Sequence, residues 1–69
     1  MPTDDITRRF TYHPPKDRQA ERYREIRAAG LDLAELLTAE CPQSRELSLA
    51  LTKLEEAVMW ANAAIARNE

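Results

Sequence analysis

The sequence predicts an all-α fold: an N-terminal arm followed by an antiparallel two-helix hairpin that assembles as a homo-oligomer. Three observations predict it. Apolar residues recur at helical spacing over two long stretches. A breaker, Cys41-Pro42-Gln43-Ser44, separates those stretches and is short enough to turn the chain back on itself. The chain has 69 residues, one cysteine and one histidine, so neither an internal disulfide nor a metal site with the usual ligand count can support so small a core. A chain of this length buries only about 60% of its unfolded surface, and association with further copies is the remaining route to stability.

The arm covers residues 1–15 of a single domain spanning 1–69. Residues 1–13 lack helical periodicity, and Pro14-Pro15 pushes the preceding residues toward extended backbone. The stretch from Ile6 to His13 therefore reads as an ordered arm with the two prolines as its corner. A first helix is expected from about Lys16 to Ala39, that is 16–39, with Tyr23, Ile26, Gly30, Leu33 and Leu37 on one face. Asp17 and Glu21 stand near its start, where the helix dipole favours acids. Glycine in mid-helix costs about 1 kcal/mol relative to alanine. Gly30 is thus either a point where a neighbouring helix or ligand approaches the backbone, or a tolerated defect.

A second helix is expected over 45–67, with Ser44 as N-cap and Glu46 in the first turn. Leu47, Leu51, Leu54, Val58, Ala61 and Ile65 form an uninterrupted heptad seam. Ala50, Ala57 and Ala64 recur every seven residues beside it, and Leu49, Met59 and Trp60 fall on other faces. One partner helix cannot cover that much apolar surface, so other subunits must.

The formal net charge of −2 predicts no nucleic-acid or membrane partner. Its distribution says more. Residues 8–27 carry seven cations (Arg8, Arg9, Lys16, Arg18, Arg22, Arg24 and Arg27) against three acids, whereas 28–66 carry two against six. A basic N-terminal third on an acidic body suits a local anion site better than a track for a long polyanion. The N-terminus is polar and acidic with no apolar run behind it, and no stretch approaches the roughly 18 apolar residues of a membrane span. One unpaired cysteine fits a reducing cytoplasm.

Catalytic constellations are not evident. Cys41 and His13 are separated by a whole helix, and Cys41 reads as a small apolar loop residue rather than a nucleophile. Glu55-Glu56 are adjacent on a helix and point apart, as on a solvated face. Gly30 is the only glycine, which excludes glycine-rich phosphate loops. The expectation is a binding protein, not an enzyme, with no cofactor.

The chemistry concentrates in Arg8-Arg9-Phe10-Thr11-Tyr12-His13-Pro14-Pro15-Lys16, where aromatic rings interleave with flanking cations. Aromatic faces stack on nucleobases and arginines take phosphates by charge-assisted hydrogen bonds. Arg27 lies one turn beyond Tyr23 and could reach back toward such a site. The competing reading is that Phe10 and Tyr12 pin the arm to the hairpin while the arginines stay solvated. Phe10 is expected to pack in either case, and Tyr12 is the better ligand contact. Met59 and Trp60 read as core or interface rather than as a ligand box. Arg67, in the last turn, is favourable with the helix dipole.

Several strings are specific enough to indicate a family. They are Phe10-Thr-Tyr-His-Pro-Pro-Lys16, Arg22-Tyr23, Ile26-Arg27, Cys41-Pro42-x-Ser44-Arg45-Glu46, and the unbroken run from Leu49 to Asn68. Across residues 8–68 the chain resembles the phage anti-CBASS cyclic-nucleotide sponges, and more distantly the hairpin of a Thoeris anti-defence sponge. The resemblance implies a homohexamer of helical hairpins in the cytoplasm of the infected bacterium. It implies binding of cyclic di- and trinucleotide second messengers, cyclic GMP–AMP among them, which are held without cleavage so that defence effectors stay inactive. It places dinucleotides between paired subunits, with a stacking tyrosine carried to Tyr12 and a basic residue of the first helix carried to Arg27. His13 and Lys16 belong to the same segment. A separate trinucleotide site is implied, to which Arg9 or Arg67 is assigned by charge alone. The alternative is a small helical inhibitor that acts on a host protein through its apolar faces.

Overall fold

The computed structural model describes residues 6–7, 9–12 and 14–69; His13, read above as a ligand contact, lies outside the described residues, as do Arg8 and residues 1–5. Two long helices, α1 (Gln19–Glu40) and α2 (Arg45–Asn68), pack as a hairpin, and the described residues contain no strand. None of the helices described is long and apolar enough to cross a membrane.

The hairpin matches the expected architecture, with differences at the start of α1. That helix begins at Gln19, three residues after the expected Lys16. The cause is local. Asp17 adopts a left-handed φ of 48°, a conformation that aspartate tolerates better than most residues and that interrupts the helix. The chain between the prolines and α1 is closed instead by a reciprocal pair of bonds. The Lys16 N–H donates to Gln19 Oε1 at 2.9 Å, and the Gln19 N–H donates to the Lys16 carbonyl at 2.8 Å. Arg18, at the N-cap, contributes no side-chain cap, and the first helical N–H, that of Gln19, is satisfied by the Lys16 carbonyl instead.

Ser44 caps α2 as expected. It has extended backbone, and its Oγ accepts the Leu47 N–H at 3.1 Å. α1 ends where the Cys41 N–H donates to the Leu37 carbonyl at 2.9 Å.

Between the helices, Leu47, Leu51, Leu54, Val58 and Ala61 are half-buried and Ile65 is buried, which is the heptad seam read from the sequence. On α1, Tyr23, Ile26, Gly30 and Leu37 face inward, but Ala34 takes the place expected for Leu33, which is 43% exposed. Gly30 explains the exchange. A Cβ at this position would lie 2.7 Å from Val58 Cγ2, so the Val58 side chain packs directly against the α1 backbone here, and the small Ala34 continues this face in the next turn. The mid-helix glycine marks a close helix approach.

The arm departs from expectation. Ile6, Thr7, Arg9 and Phe10 have helical backbone where the sequence shows no helical periodicity. A turn held by local bonds, with the Thr11 hydroxyl donating to the Thr7 carbonyl, needs no apolar stripe. Phe10, expected to pack against the hairpin, is 83% exposed in the single chain.

At the end of the hairpin where the arm meets it, Glu69 fastens α2 to the start of α1. Its carboxylate accepts from both Arg22 Nη atoms, at 2.8 and 3.0 Å, and from Gln19 Nε2 at 3.1 Å, while Lys16 Nζ donates to its backbone oxygen at 3.4 Å. Gln19 is the buried polar side chain at this junction. The clamp fixes the corner from which the arm departs.

Candidate functional site

Three elements build one cleft beside this corner. The arm supplies Tyr12 and Pro15, α1 supplies Tyr23 and Arg27, and α2 supplies Asn62, Ala63 and Ala66 around a space of about 320 Å³. Tyr23 and Arg27 are four apart on α1 and so share a face. Ala63 and Ala66 keep the α2 wall low.

The lining combines an exposed ring, a cation and unpaired polar groups. Tyr12 is 79% exposed, which leaves its ring available as a stacking surface. None of the ion pairs among the described residues involves Arg27. The surrounding cations are differently placed. Arg18 pairs with Glu21 at 3.1 Å and lies 3.8 Å from Glu25, and Arg22 is held by Glu69. Hydrogen bonding from Arg22 and then Gln19 holds the Glu69 carboxyl below the ordinary glutamate range, and the same contact raises Arg22. Two of the seven cations counted in residues 8–27, Arg18 and Arg22, are therefore paired with acids of the same chain, and Arg27 is the cation placed in this cleft.

The two residues assigned to dinucleotide binding, Tyr12 and Arg27, thus stand in one cleft. The other assigned residues that are described do not line this cleft. Lys16 and Arg67 line a second, more polar cleft of about 390 Å³ with Pro14, Gln19, Asn68 and Glu69. Arg67 also lies over the Trp60 ring, 5.9 Å from its centroid, a cation–π arrangement. Arg9 is exposed on the arm, and His13 is outside the described residues.

Sequence reasoning missed Asn62 and treated Tyr23 as seam alone. A signal was present for Asn62: it is the polar residue within Ala61-Asn62-Ala63-Ala64, next to a seam position, where a solvated face would not be expected. Among the described residues, Tyr23 Oη and Asn62 Oδ1 are buried without a hydrogen-bond partner, and both residues line the cleft.

Fold and cleft together define a helical-hairpin protein that presents an aromatic and cationic recess near its N-terminal corner. A family model, that of the Acb2/Tad1 hairpin domain, matches residues 2–66, and the chain belongs to that family, the anti-CBASS sponge family. Comparisons with curated proteins and with solved structures returned no match.

Proposed function

We propose that this chain is a phage anti-defence sponge that binds the cyclic di- and trinucleotide messengers of CBASS immunity and holds them uncleaved, as a homohexamer in the cytoplasm of the infected bacterium. The observation that carries the reading is the convergence of Tyr12 and Arg27 on one cleft, because a stacking ring beside a cation is what a base joined to a phosphate requires. Family membership supports the same role.

The single chain also argues for assembly. Its accessible surface is 5665 Å², whereas a compact monomer of 7.9 kDa exposes about 4,400 Å² by the usual scaling. Leu31, Leu36, Leu49, Met59 and Trp60 are each more than two-fifths exposed. The cleft of about 320 Å³ stands at the small end of ligand sites and is open on one side, so a second hairpin would complete the enclosure of a cyclic dinucleotide.

Sequestration needs affinity without bond cleavage. The test is calorimetry against a panel of cyclic di- and trinucleotides, followed by chromatography of the ligand after long incubation and heat denaturation of the protein. Intact recovery is expected. Release of linear products would make the protein a hydrolase, and absence of binding across the panel would reject the reading.

A further inference from the structure

From Tyr23 and Asn62 we infer a polar wall of the cleft that reads a hydrogen-bond donor on the bound nucleotide; the inference rests on the cyclic-nucleotide reading above. Tyr23 Oη and Asn62 Oδ1 are shielded from solvent and unpaired, and they come from opposite helices of the hairpin. Buried polar atoms are nearly always paired, since an unpaired one carries the full cost of its lost hydration. Both residues line one cleft, beside a stacking ring and a cation, where a bound ligand can supply the missing partner once a small side-chain rotation uncovers these atoms.

Chemistry restricts that partner. The Asn62 oxygen accepts only, and so do the oxygens of a phosphodiester. This oxygen of Asn62 therefore does not read the phosphate, which is left to Arg27. It needs a donor, and a cyclic nucleotide offers two kinds: the amino groups of its bases and the hydroxyls of its sugars. The Tyr23 hydroxyl both donates and accepts, so it pairs with a ring nitrogen or a base carbonyl beside that donor. Stacking on Tyr12 tolerates every base. Selectivity in this cleft is assigned to Tyr23 and Asn62, residues that neither stack nor neutralise charge.

The test uses the full chain, with cyclic GMP–AMP as probe, and the variants Tyr23→Phe and Asn62→Leu. Tyr23→Phe removes the hydroxyl and Asn62→Leu the whole amide, each keeping a side chain of similar size. Affinity is expected to fall about tenfold in each, the effect of a lost hydrogen bond to a group left buried. The melting temperature of the ligand-free protein should stay level or rise, because an unpaired group has been removed. A merely structural role predicts the reverse, lower stability with unchanged affinity, and that result overturns the inference. Analogues with the base amino groups replaced by hydrogen, and analogues lacking a sugar hydroxyl, separate the two donors. The one that Asn62 reads should weaken binding to the unaltered chain and make no difference to Asn62→Leu. If neither modification discriminates between these two proteins, the inference fails. Binding by the unaltered chain with both variants unaffected overturns this inference alone, whereas failure of the unaltered chain to bind cyclic GMP–AMP overturns it together with the reading on which it rests.

Discussion

Gly30 and Val58 meet across the hairpin so closely that a Cβ on Gly30 would stand 2.7 Å from Val58 Cγ2. Real side chains do not pack at that distance, and Val58 has little freedom to turn away, because a β-branched side chain on a helix is held to one main rotamer. Gly30→Ala gains helix propensity of about 1 kcal/mol but incurs overpacking of about 1–3 kcal/mol. The expected net effect is destabilisation by about 1 kcal/mol, measured by chemical denaturation. Val58→Ala should relieve the clash, so the double variant should be more stable than the sum of the single changes allows. Additive effects would show that the approach of the helices is not set by this contact.

The Glu69 clamp makes a pH-dependent prediction. The carboxyl is held below its ordinary range chiefly by hydrogen bonds from Arg22 and then Gln19. A group whose folded pKa is depressed stabilises the fold above its unfolded pKa, and that contribution is lost as pH falls through the folded value. Stability should therefore drop below about pH 4.5, and Glu69→Gln should reduce the slope of melting temperature against pH in that range. Arg22 is shifted the other way, upward, so its contribution is fully present at every pH below the ordinary arginine range and adds no slope near neutrality. Both partners are substantially exposed, so the difference will be modest and will shrink with salt. Superimposable pH profiles for the two proteins at low salt would show that the clamp is not formed in solution.

The periodic part of the fold was legible in the sequence because burial imposes it. Leu47, Leu51, Leu54, Val58 and Ile65 had to share a face, and Ser44 had to cap it, so α2 could be placed to within a residue. The start of α1 was not legible. It depends on the left-handed backbone of Asp17 and on Gln19 reaching back to Lys16, neither of which leaves a periodic trace. The spacing fits Leu33 and Ala34 almost equally, and it does not reveal that Val58 packs on the backbone at Gly30 with Ala34 on the same face. In the candidate site, residue chemistry and the family resemblance single out Tyr12 and Arg27, which do line one cleft, whereas placing Asn62 beside them requires knowing which part of α2 faces the arm.

Ala57 provides the test of assembly. It stands in the alanine stripe beside the seam and is exposed in the single hairpin, so a glutamate there has room and solvent in an isolated chain. If the stripe packs against another subunit, the same glutamate becomes a buried unpaired charge. Light scattering at micromolar concentration should give the unaltered protein a mass several times 7.9 kDa. Ala57→Glu should give a much smaller species. A folded monomer for the unaltered chain would show that Leu31, Leu36, Met59 and Trp60 are not covered by further copies, and would return those surfaces to the alternative of a host-protein interface.

Tyr12 separates stacking from anchoring. At 79% exposure its ring does little to hold the single hairpin together, so Tyr12→Ala should leave fold and assembly intact. It should nevertheless weaken cyclic-dinucleotide binding by about 1–3 kcal/mol, the range for one base stacked on one ring. Arg27→Ala should cost a similar amount, about 1.5–3 kcal/mol, through loss of a charge-assisted contact, and should reduce the salt dependence of binding as well. Tyr12→Phe keeps the face of the ring and should retain most of the affinity; if it loses as much as Tyr12→Ala, the hydroxyl rather than the face makes the contact. Cyclic trinucleotides should bind Tyr12→Ala normally if their site lies elsewhere, for instance at the polar cleft that holds Lys16 and Arg67. Calorimetry on both ligand classes, with light scattering as the control for folding, reads all of these. Undiminished dinucleotide affinity in an intact Tyr12→Ala assembly would make Tyr12 an arm residue without a role in binding, and the cleft it shares with Arg27 would no longer support the proposed function.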